Sequence, residues 1–457
     1  MARFLLTTWP IPGHANPSLA VAHALRDRGH DVAFYTGSRV RRLIEGEGFP
    51  VFCFARVDEA ALDRVFFDAH DLGWRERWIG QRQRMRDWLV GTLPGQVADQ
   101  IEAVRAWRPD ALLCDSTMWG PYVVVHDLER LPIVILQYQM GCFLPGPDAP
   151  PPGFGLPPPR NWRTRGLARA ARMVLEMATR DFRDKVNDVR RQYGLPPLMV
   201  SPTMQAGRMA LYVVTSVPEL DYQRGDLPSS VKYVGPCIWN KPHDAPPPTW
   251  VAELPRDRPV VHVCEGTVHA RRPIVLHAAA QALANAPFHV VMTTGTHRHP
   301  ESLDLGPLAA NIRVEPWVPH TDLFPATDLV VTTGGAGTVL TALRFGIPLL
   351  IVPTEWDKPE SARRVVESGA GLALSPRRCT PKRLRSAVEQ LLTDRRFRDA
   401  AQRLARALGE RGGANQVATL IEDLVHVPTD PSGASIEECA DYRGVERIGA
   451  GDRVVSG

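Results

Sequence analysis

At 457 residues, with 44% hydrophobic and 23% charged, the chain is too long for one ordinary core, and two domains of about 200 residues are expected. The net charge of +4 and the pI near 8.7 are mild, and the basic residues are scattered rather than gathered into a stripe, which argues against a nucleic-acid partner. No run of about 18 apolar residues occurs, so no membrane span is expected. The seven cysteines are odd in number and show no C-x-x-C spacing, which argues against a disulfide framework and a structural zinc site and points to a reducing cytoplasm.

In the first half, apolar runs at 4–8, 31–35, 111–114, 133–137 and 209–214 read as buried strands. They alternate with amphipathic stretches of helical period, the pattern of βαβ units and parallel sheets. The opening residues read as the first of these strands rather than as a signal peptide, since no small-residue cleavage site follows. Residues 16–28 read as the first helix, with Asn16 as its cap, Pro17 in its first turn and Gly29 as its stop.

The segment Pro12-Gly13-His14-Ala15-Asn16-Pro17 is then a loop at the carboxyl end of a strand, where parallel sheets bind ligands. His14 there either acts as a general base near neutral pH or only helps to cap the helix. Asp115 closes a strand expected beside the first one. It either holds the far nitrogen of His14 or caps a following helix.

Residues 141–160 contain eight prolines in twenty and predict an exposed loop or lid, continuing to about 166, before a helix over 167–193. Phe143, Phe154 and Trp162 either border an apolar acceptor or belong to an ordinary surface loop. Residues 241–248 have linker composition. The expected division is an N-terminal domain over 1–235, a linker over 236–257, a C-terminal domain over 258–427 and a disordered tail over 428–457, where apolar periodicity ends.

The second half repeats the rhythm, with strands at 260–264, 289–293, 312–314, 329–332 and 349–352 and a helix over about 273–285. The turn Thr333-Gly334-Gly335-Ala336-Gly337-Thr338 joins a strand to a helix expected over 338–345, an arrangement that presents backbone N–H groups to an anion. Glu265-Gly266-Thr267 can bring a second set of donors. In Trp356-Asp357-Lys358 the charged pair can bond pyranose hydroxyls while the ring covers an apolar sugar face, or the pair is a solvated surface feature. Trp317, followed by Val318, either stacks on a nucleobase or is core.

Taken in this order, Gly13-His14, Trp317-Val318-Pro319, the turn 333–338, Pro353 to Asp357, Ala362 to Val365 and Gly369-Ala370-Gly371 resemble the GT-B glycosyltransferases of the UDP-glycosyltransferase superfamily. The likeness is to their macrolide-type, antibiotic-modifying branch and covers about residues 1–425. It implies an α/β fold of two Rossmann-like domains with parallel sheets facing each other across a cleft, the acceptor held by the first and the nucleotide sugar by the second.

By the same resemblance His14 takes the acceptor proton and Asp115 supports it. Trp317 stacks on the base beside Val318, and Thr333, Gly334, Gly335, Gly337 and Thr338 surround the diphosphate with Gly266 and Thr267. Trp356, Asp357 and Lys358 meet the sugar. The implied reaction is an inverting transfer of a hexose or deoxyhexose from a UDP- or dTDP-sugar to a hydroxyl of a small apolar natural product. The nucleotide sugar is a co-substrate, no other cofactor is expected, and no Asp-x-Asp metal signature occurs. A monomer or weak homodimer is expected.

Four positions depart from the family's pattern: Thr333 replaces His, Thr341 replaces Glu, Lys358 replaces Gln and Ser361 replaces Asn. The Glu missing at 341 would pair with ribose hydroxyls, so its loss suits a deoxyribose and a dTDP-sugar, while Lys358 could instead suit a sugar carboxylate. A nicotinamide-dependent oxidoreductase is disfavoured because no G-x-G-x-x-G follows the first strand. The remaining alternatives are an inactive auxiliary of the same fold and a nucleotide- or lipid-binding protein; either would leave His14 without a task.

Overall fold

The computed structural model describes residues 1–67, 74–239, 248–266, 273–295 and 298–426, with backbone only at 74–79 and 426. The expected linker lies partly, and Thr267 and the tail 428–457 wholly, outside the described residues.

The first half forms a seven-stranded parallel sheet in the order β3-β2-β1-β4-β5-β6-β7. Its strands are β1 (Arg3–Thr7), β2 (Asp31–Thr36), β3 (Val51–Cys53), β4 (Ala111–Asp115), β5 (Ile133–Gln137), β6 (Leu211–Val214) and β7 (Val231–Tyr233). The second half forms a six-stranded parallel sheet in the order β10-β9-β8-β11-β12-β13. It comprises β8 (Val260–Cys264), β9 (His289–Thr293), β10 (Ile312–Glu315), β11 (Leu329–Thr332), β12 (Leu349–Ile351) and β13 (Gly371–Ala373).

Every residue of β4, β5, β8 and β11 is buried, as strands covered on both faces require, and this is why these four read as mainly apolar runs. Alternate residues feed opposite cores: Leu5, Ala33 and Leu112 pack on one side of the first sheet, Phe4, Leu6, Phe34 and Leu113 on the other. In both sheets the strand order reverses beside the first strand of the half, between β1 and β4 and between β8 and β11. Those two switch points are where doubly wound sheets open a crevice at the carboxyl edge.

The first helix differs from expectation. It runs Pro12–Arg26, not 16–28. Pro12 at its first position has the right φ already, and the Ile11 carbonyl receives the N–H groups of His14 and Ala15, each at 2.9 Å. Pro17 therefore sits inside the helix and forgoes one backbone bond. His14 belongs to the first helical turn, not to a loop. Gly29, at φ +83, closes the far end as expected.

The proline-rich segment is likewise not an exposed lid. Residues 141–160 form no helix or strand, yet only Pro147, Gly153 and Arg160 among them are exposed, and they strap the two halves together. Gly155 donates to Glu360 at 2.8 Å and accepts from Arg363 at 3.1 Å, and Arg160 pairs with Glu367 at 3.0 Å. Its prolines lack the N–H that would otherwise need a buried partner, which makes an irregular path through the interior less costly. The helix after it starts at Trp162, five residues early, because Asn161 and Thr164 close a capping box.

Beneath the strap lies a buried ion pair between the halves. Arg364, on helix Lys358–Glu367, donates to Asp221 at 3.0 Å and to Glu360 at 2.9 Å, with its guanidinium 4.4 Å from the Tyr222 ring. Burial would raise the Asp221 pKa. The Arg364 charge and the bonds from Cys142, Tyr233 and Tyr222 nonetheless hold it below its ordinary value.

The last described helix, Ala414–His426, crosses back to the first sheet. Val417, Ala418 and Ile421 are fully buried in the core beside helix Pro12–Arg26, so these residues pack with the N-terminal half although they were expected in the C-terminal one. Burial of Val417 and Ile421 contributes about 1.5–3 kcal/mol each. The exposed Arg28–Glu422 pair adds less than about 1 kcal/mol, so apolar contact decides the docking. Among the described residues no helix is long and apolar enough to cross a membrane, and the six described cysteines are free thiols.

Candidate active site

His14 follows β1 and Asp115 ends β4, so the switch point of the first sheet brings together two residues 101 positions apart. The His14 Nδ1 meets Asp115 Oδ2 in a short hydrogen bond. The other oxygen, Oδ1, accepts from the Thr117 N–H at 2.8 Å and from its hydroxyl at 2.5 Å, and Thr117 Oγ1 in turn accepts from Trp9 Nε1 at 3.0 Å. Asp115 is thus fixed on both sides. With the Nδ1–H directed at the carboxylate, Nε2 is left as the ring's basic nitrogen.

Burial would lower the His14 pKa, but the Asp115 charge and hydrogen bond, helped by Asp357, raise it above the ordinary histidine value. Asp357 follows β12 of the second sheet, so a charge from the other half also favours the protonated ring. Asp357 itself is pushed up by burial, against Lys358 and His14. An aromatic neighbour, Tyr138, stands edge-on to the His14 ring at 6.4 Å with its hydroxyl bonded to Ser18 at 2.8 Å.

On the other side of the cleft, Gly266 and Thr333 leave the carboxyl ends of β8 and β11, the second switch point. Thr333 is buried, and its hydroxyl donates to the Glu265 carbonyl at 2.8 Å. Gly334 has φ +98, and a Cβ there would lie 2.7 Å from Ile351 Cγ2, so glycine is required. A Cβ on Gly335 or Gly337 would meet none of the described residues within 4 Å, so the two leave room at the start of helix Ala336–Arg344. That helix begins two residues before the expected Thr338, which falls in its first turn.

Lys358 is buried rather than solvated, its Nζ 3.0 Å from Thr354 Oγ1. Burial draws its pKa below the ordinary lysine value, while the carboxylates of Asp357, Glu355 and Glu265 resist the shift. Trp317, just past β10, is 44% exposed with Val318 buried behind it. Thr341 is buried and its hydroxyl donates to the Gly337 carbonyl at 2.7 Å. Gly266, at φ +79, faces open space.

Trp356 has a different setting from the expected sugar contact. Its ring lies 5.6 Å from both Phe66 and Trp88 and 5.7 Å from the Arg84 guanidinium, all from the first half, so it builds an aromatic wall where the halves meet. Trp162 is 77% exposed on the surface, and Phe143 lies 5.8 Å from the Arg364 guanidinium. Arg298 carries no sequence signal, and Glu265 is marked in the sequence only as the start of the loop 265–267. Glu265 accepts from the Val275 N–H at 2.9 Å at the start of helix Ile274–Ala282, and Arg298 pairs with it at 3.2 Å.

Residues 279–424 match the family of erythromycin biosynthesis protein CIII-like C-terminal domains. The chain is 35% identical over 442 residues to a 4'-demethylrebeccamycin synthase of Lentzea aerocolonigenes, covering 93% of this chain and 100% of the relative. The chain belongs to the GT-B natural-product glycosyltransferases. A demethyllactenocin mycarosyltransferase of Streptomyces fradiae is 27% identical, over 93% of this glycosyltransferase and 87% of the relative. Among solved structures, the glycotransferase of kitacinnamycin superposes with a TM-score of 0.72 at 21% identity, over 93% and 99% of the two chains. A spinosyn rhamnosyltransferase complexed with thymidine diphosphate superposes with a TM-score of 0.65 at 22% identity, over 93% and 100%. These last two likenesses concern the glycosyltransferase fold.

Proposed function

We propose that this glycosyltransferase moves a hexose or deoxyhexose from a nucleotide-diphosphate sugar to a hydroxyl of a small apolar natural product with inversion, using His14 as the general base. The observation that carries the reading is the His14–Asp115 pair, fixed at one switch point and electrostatically in reach of Asp357 from the other half. The acceptor O–H donates to Nε2, and its proton passes there as the oxygen attacks the anomeric carbon from the side opposite the diphosphate. Asp115 steadies the imidazolium that results.

As the glycosidic bond forms, the bond from the anomeric carbon to the diphosphate oxygen breaks. The departing charge meets the backbone N–H groups at the start of helix Ala336–Arg344, beside the open faces of Gly335 and Gly337. On this reading the exposed Trp317 stacks on the base, and Asp357 with Lys358 bonds the sugar. Donors built into the chain can therefore answer the leaving group's charge, and the step as drawn calls on no metal.

We infer that the donor is a thymidine nucleotide, on the side of its deoxyribose rather than its base. Thr341 turns its hydroxyl onto its own helix, so it offers no carboxylate to a ribose diol, and a nucleotide lacking the 2'-hydroxyl loses little here. The thymidine diphosphate bound by the spinosyn rhamnosyltransferase of the same fold agrees with this. The reading is tested by measuring thermal shift and slow donor hydrolysis for dTDP- and UDP-sugars with the intact protein and with His14→Ala. Donor-dependent stabilisation in both proteins, with hydrolysis and transfer lost only in the variant, is expected. Undiminished transfer by His14→Ala would remove the base assignment, and no binding of either donor class would favour the inactive auxiliary.

A further inference from the structure

Behind the donor-side loops lies a cluster that the transfer reaction does not use. His262 and Cys264 are alternate residues of β8 and so project to the same face, and His320 opens the helix His320–Leu323 directly after Trp317, Val318 and Pro319. One ligand atom from each of the three lies within 4.8 Å of the others. All the donors are nitrogen or sulfur, with no carboxylate in the set.

The orientation of His262 is specific. Its Nε2 lies 2.9 Å from Thr293 Oγ1, while Nδ1 is buried with no hydrogen-bond partner among the described residues. With the Nε2–H donated to the threonine, the lone pair falls on Nδ1. A buried nitrogen acceptor without a donor is unusual in a folded protein and calls for an explanation. Metal-bound histidines show this arrangement: one ring nitrogen is held by an outer hydrogen bond and the other is turned to the ion. The neighbouring rings add support, His320 stacking on Phe324 at 4.5 Å and lying 5.7 Å from His262, with Cys264 Sγ 3.6 Å from Thr332 Oγ1.

We propose that His262, Cys264 and His320 form a binding site for a borderline-soft divalent metal ion, zinc(II) in particular, that ties β8 to the loop carrying Trp317. Two imidazoles and a thiolate suit zinc and leave its fourth tetrahedral position for water, whereas magnesium and calcium want oxygen ligands. Bond lengths of about 2.1 Å to nitrogen and 2.3 Å to sulfur place ligand atoms about 3.4–3.6 Å apart, so side-chain movements of about 1 Å complete the site. Binding releases the Cys264 thiol proton to the buffer. The ion would fix the distance between Cys264, next to Glu265 and Gly266, and His320, three residues beyond Trp317. Occupancy would therefore stiffen the base-binding side of the donor site.

The test uses the full chain without a histidine tag, stripped with chelator and titrated with zinc(II) for thermal stability and with cobalt(II) for absorption. One equivalent should bind, the melting temperature should rise, and cobalt should show a thiolate-to-metal charge-transfer band. Cys264→Ser should abolish that band, and His262→Gln should weaken zinc binding at least tenfold. Circular dichroism of the metal-free variants checks that they are folded; if they are not, the cobalt spectrum of the unsubstituted protein decides. Absence of the band there, or zinc binding unchanged in both folded variants, would overturn the site.

Discussion

Thr333 Oγ1 donates to the main-chain carbonyl of Glu265 at 2.8 Å, so the loops leaving β11 and β8 at the second switch point are bonded to each other. The hydroxyl that stands where the family resemblance leads one to expect histidine therefore serves the protein's own backbone. On the proposed reading, the diphosphate is left to the N–H groups of the glycine-rich turn.

That division separates the turn's glycines by experiment. Gly337→Ala adds a methyl group to open space inside a helix, where alanine is favoured over glycine by about 0.5–1 kcal/mol, so the melting temperature should hold or rise. Donor affinity should fall at least tenfold, because the methyl occupies the face at which the diphosphate is placed. Gly334→Ala should instead destabilise the protein by about 1–3 kcal/mol, since φ +98 and the 2.7 Å approach to Ile351 both oppose a side chain. Calorimetric donor titration beside thermal unfolding distinguishes the two; equal effects on both quantities would contradict the placement.

Asp115→Asn should lower kcat/KM by about a hundredfold or more, the scale of positioned proton transfer. The sign of the pH response is more telling. His14 must be neutral to take a proton, and its pKa is raised, so activity should fall with decreasing pH starting above the ordinary histidine value. Removing the carboxylate charge should move that limb to lower pH while lowering the plateau. Stability runs the other way: a raised folded-state pKa stabilises the fold below the unfolded histidine pKa, and the gain is lost as pH rises through the folded value. pH–rate and pH–unfolding profiles of both proteins check this, and an unmoved acid limb would break the link between Asp115 and His14.

Arg364→Met should cost about 3–5 kcal/mol, because it leaves Asp221 and Glu360 buried without their cation. Since Asp221 belongs to the first half and Arg364 to the second, the loss should loosen the contact between halves as well as the fold. Faster amide exchange at Gly155 and Cys142, whose N–H groups bond Glu360 and Asp221, is the expected signature. Exchange unchanged at both positions would show that the pair does not hold the strap.

How much of this was legible in the sequence depended on whether the cause was local. The strands β5, β8, β9 and β11 are legible to the residue because burial on both faces makes them mainly apolar, with His262 the one polar residue inside a run. The edge strands β3, β7 and β13 have three residues each, too few to stand out in the sequence even where they are apolar, as at Val51-Phe52-Cys53. Asn16-Pro17 imitates a helix start, and only the bonds to the Ile11 carbonyl show that Pro12 is the true first residue. The apolar stripe of residues 414–426 could announce that it packs, not that it packs on the opposite half. His320 lies 56 residues beyond Cys264, so a search for close cysteine spacings had no means of joining them.

Thr341→Glu tests the donor preference. In the present protein the Thr341 hydroxyl is spent on the Gly337 carbonyl, and the side chain is buried against its own helix. A glutamate there is long enough to leave that position and reach toward the cleft, where its carboxylate can accept two hydrogen bonds from a ribose diol but only one from a deoxyribose. One charge-assisted hydrogen bond is worth about 1.5–3 kcal/mol, so the ratio of UDP- to dTDP-sugar affinity should rise about tenfold or more. The measurement is competitive thermal shift with paired UDP- and dTDP-sugars of the same hexose. If the original protein already favours UDP, the deoxyribose reading fails while the transferase reading stands. If the ratio is unchanged in a folded variant, position 341 does not face the ribose.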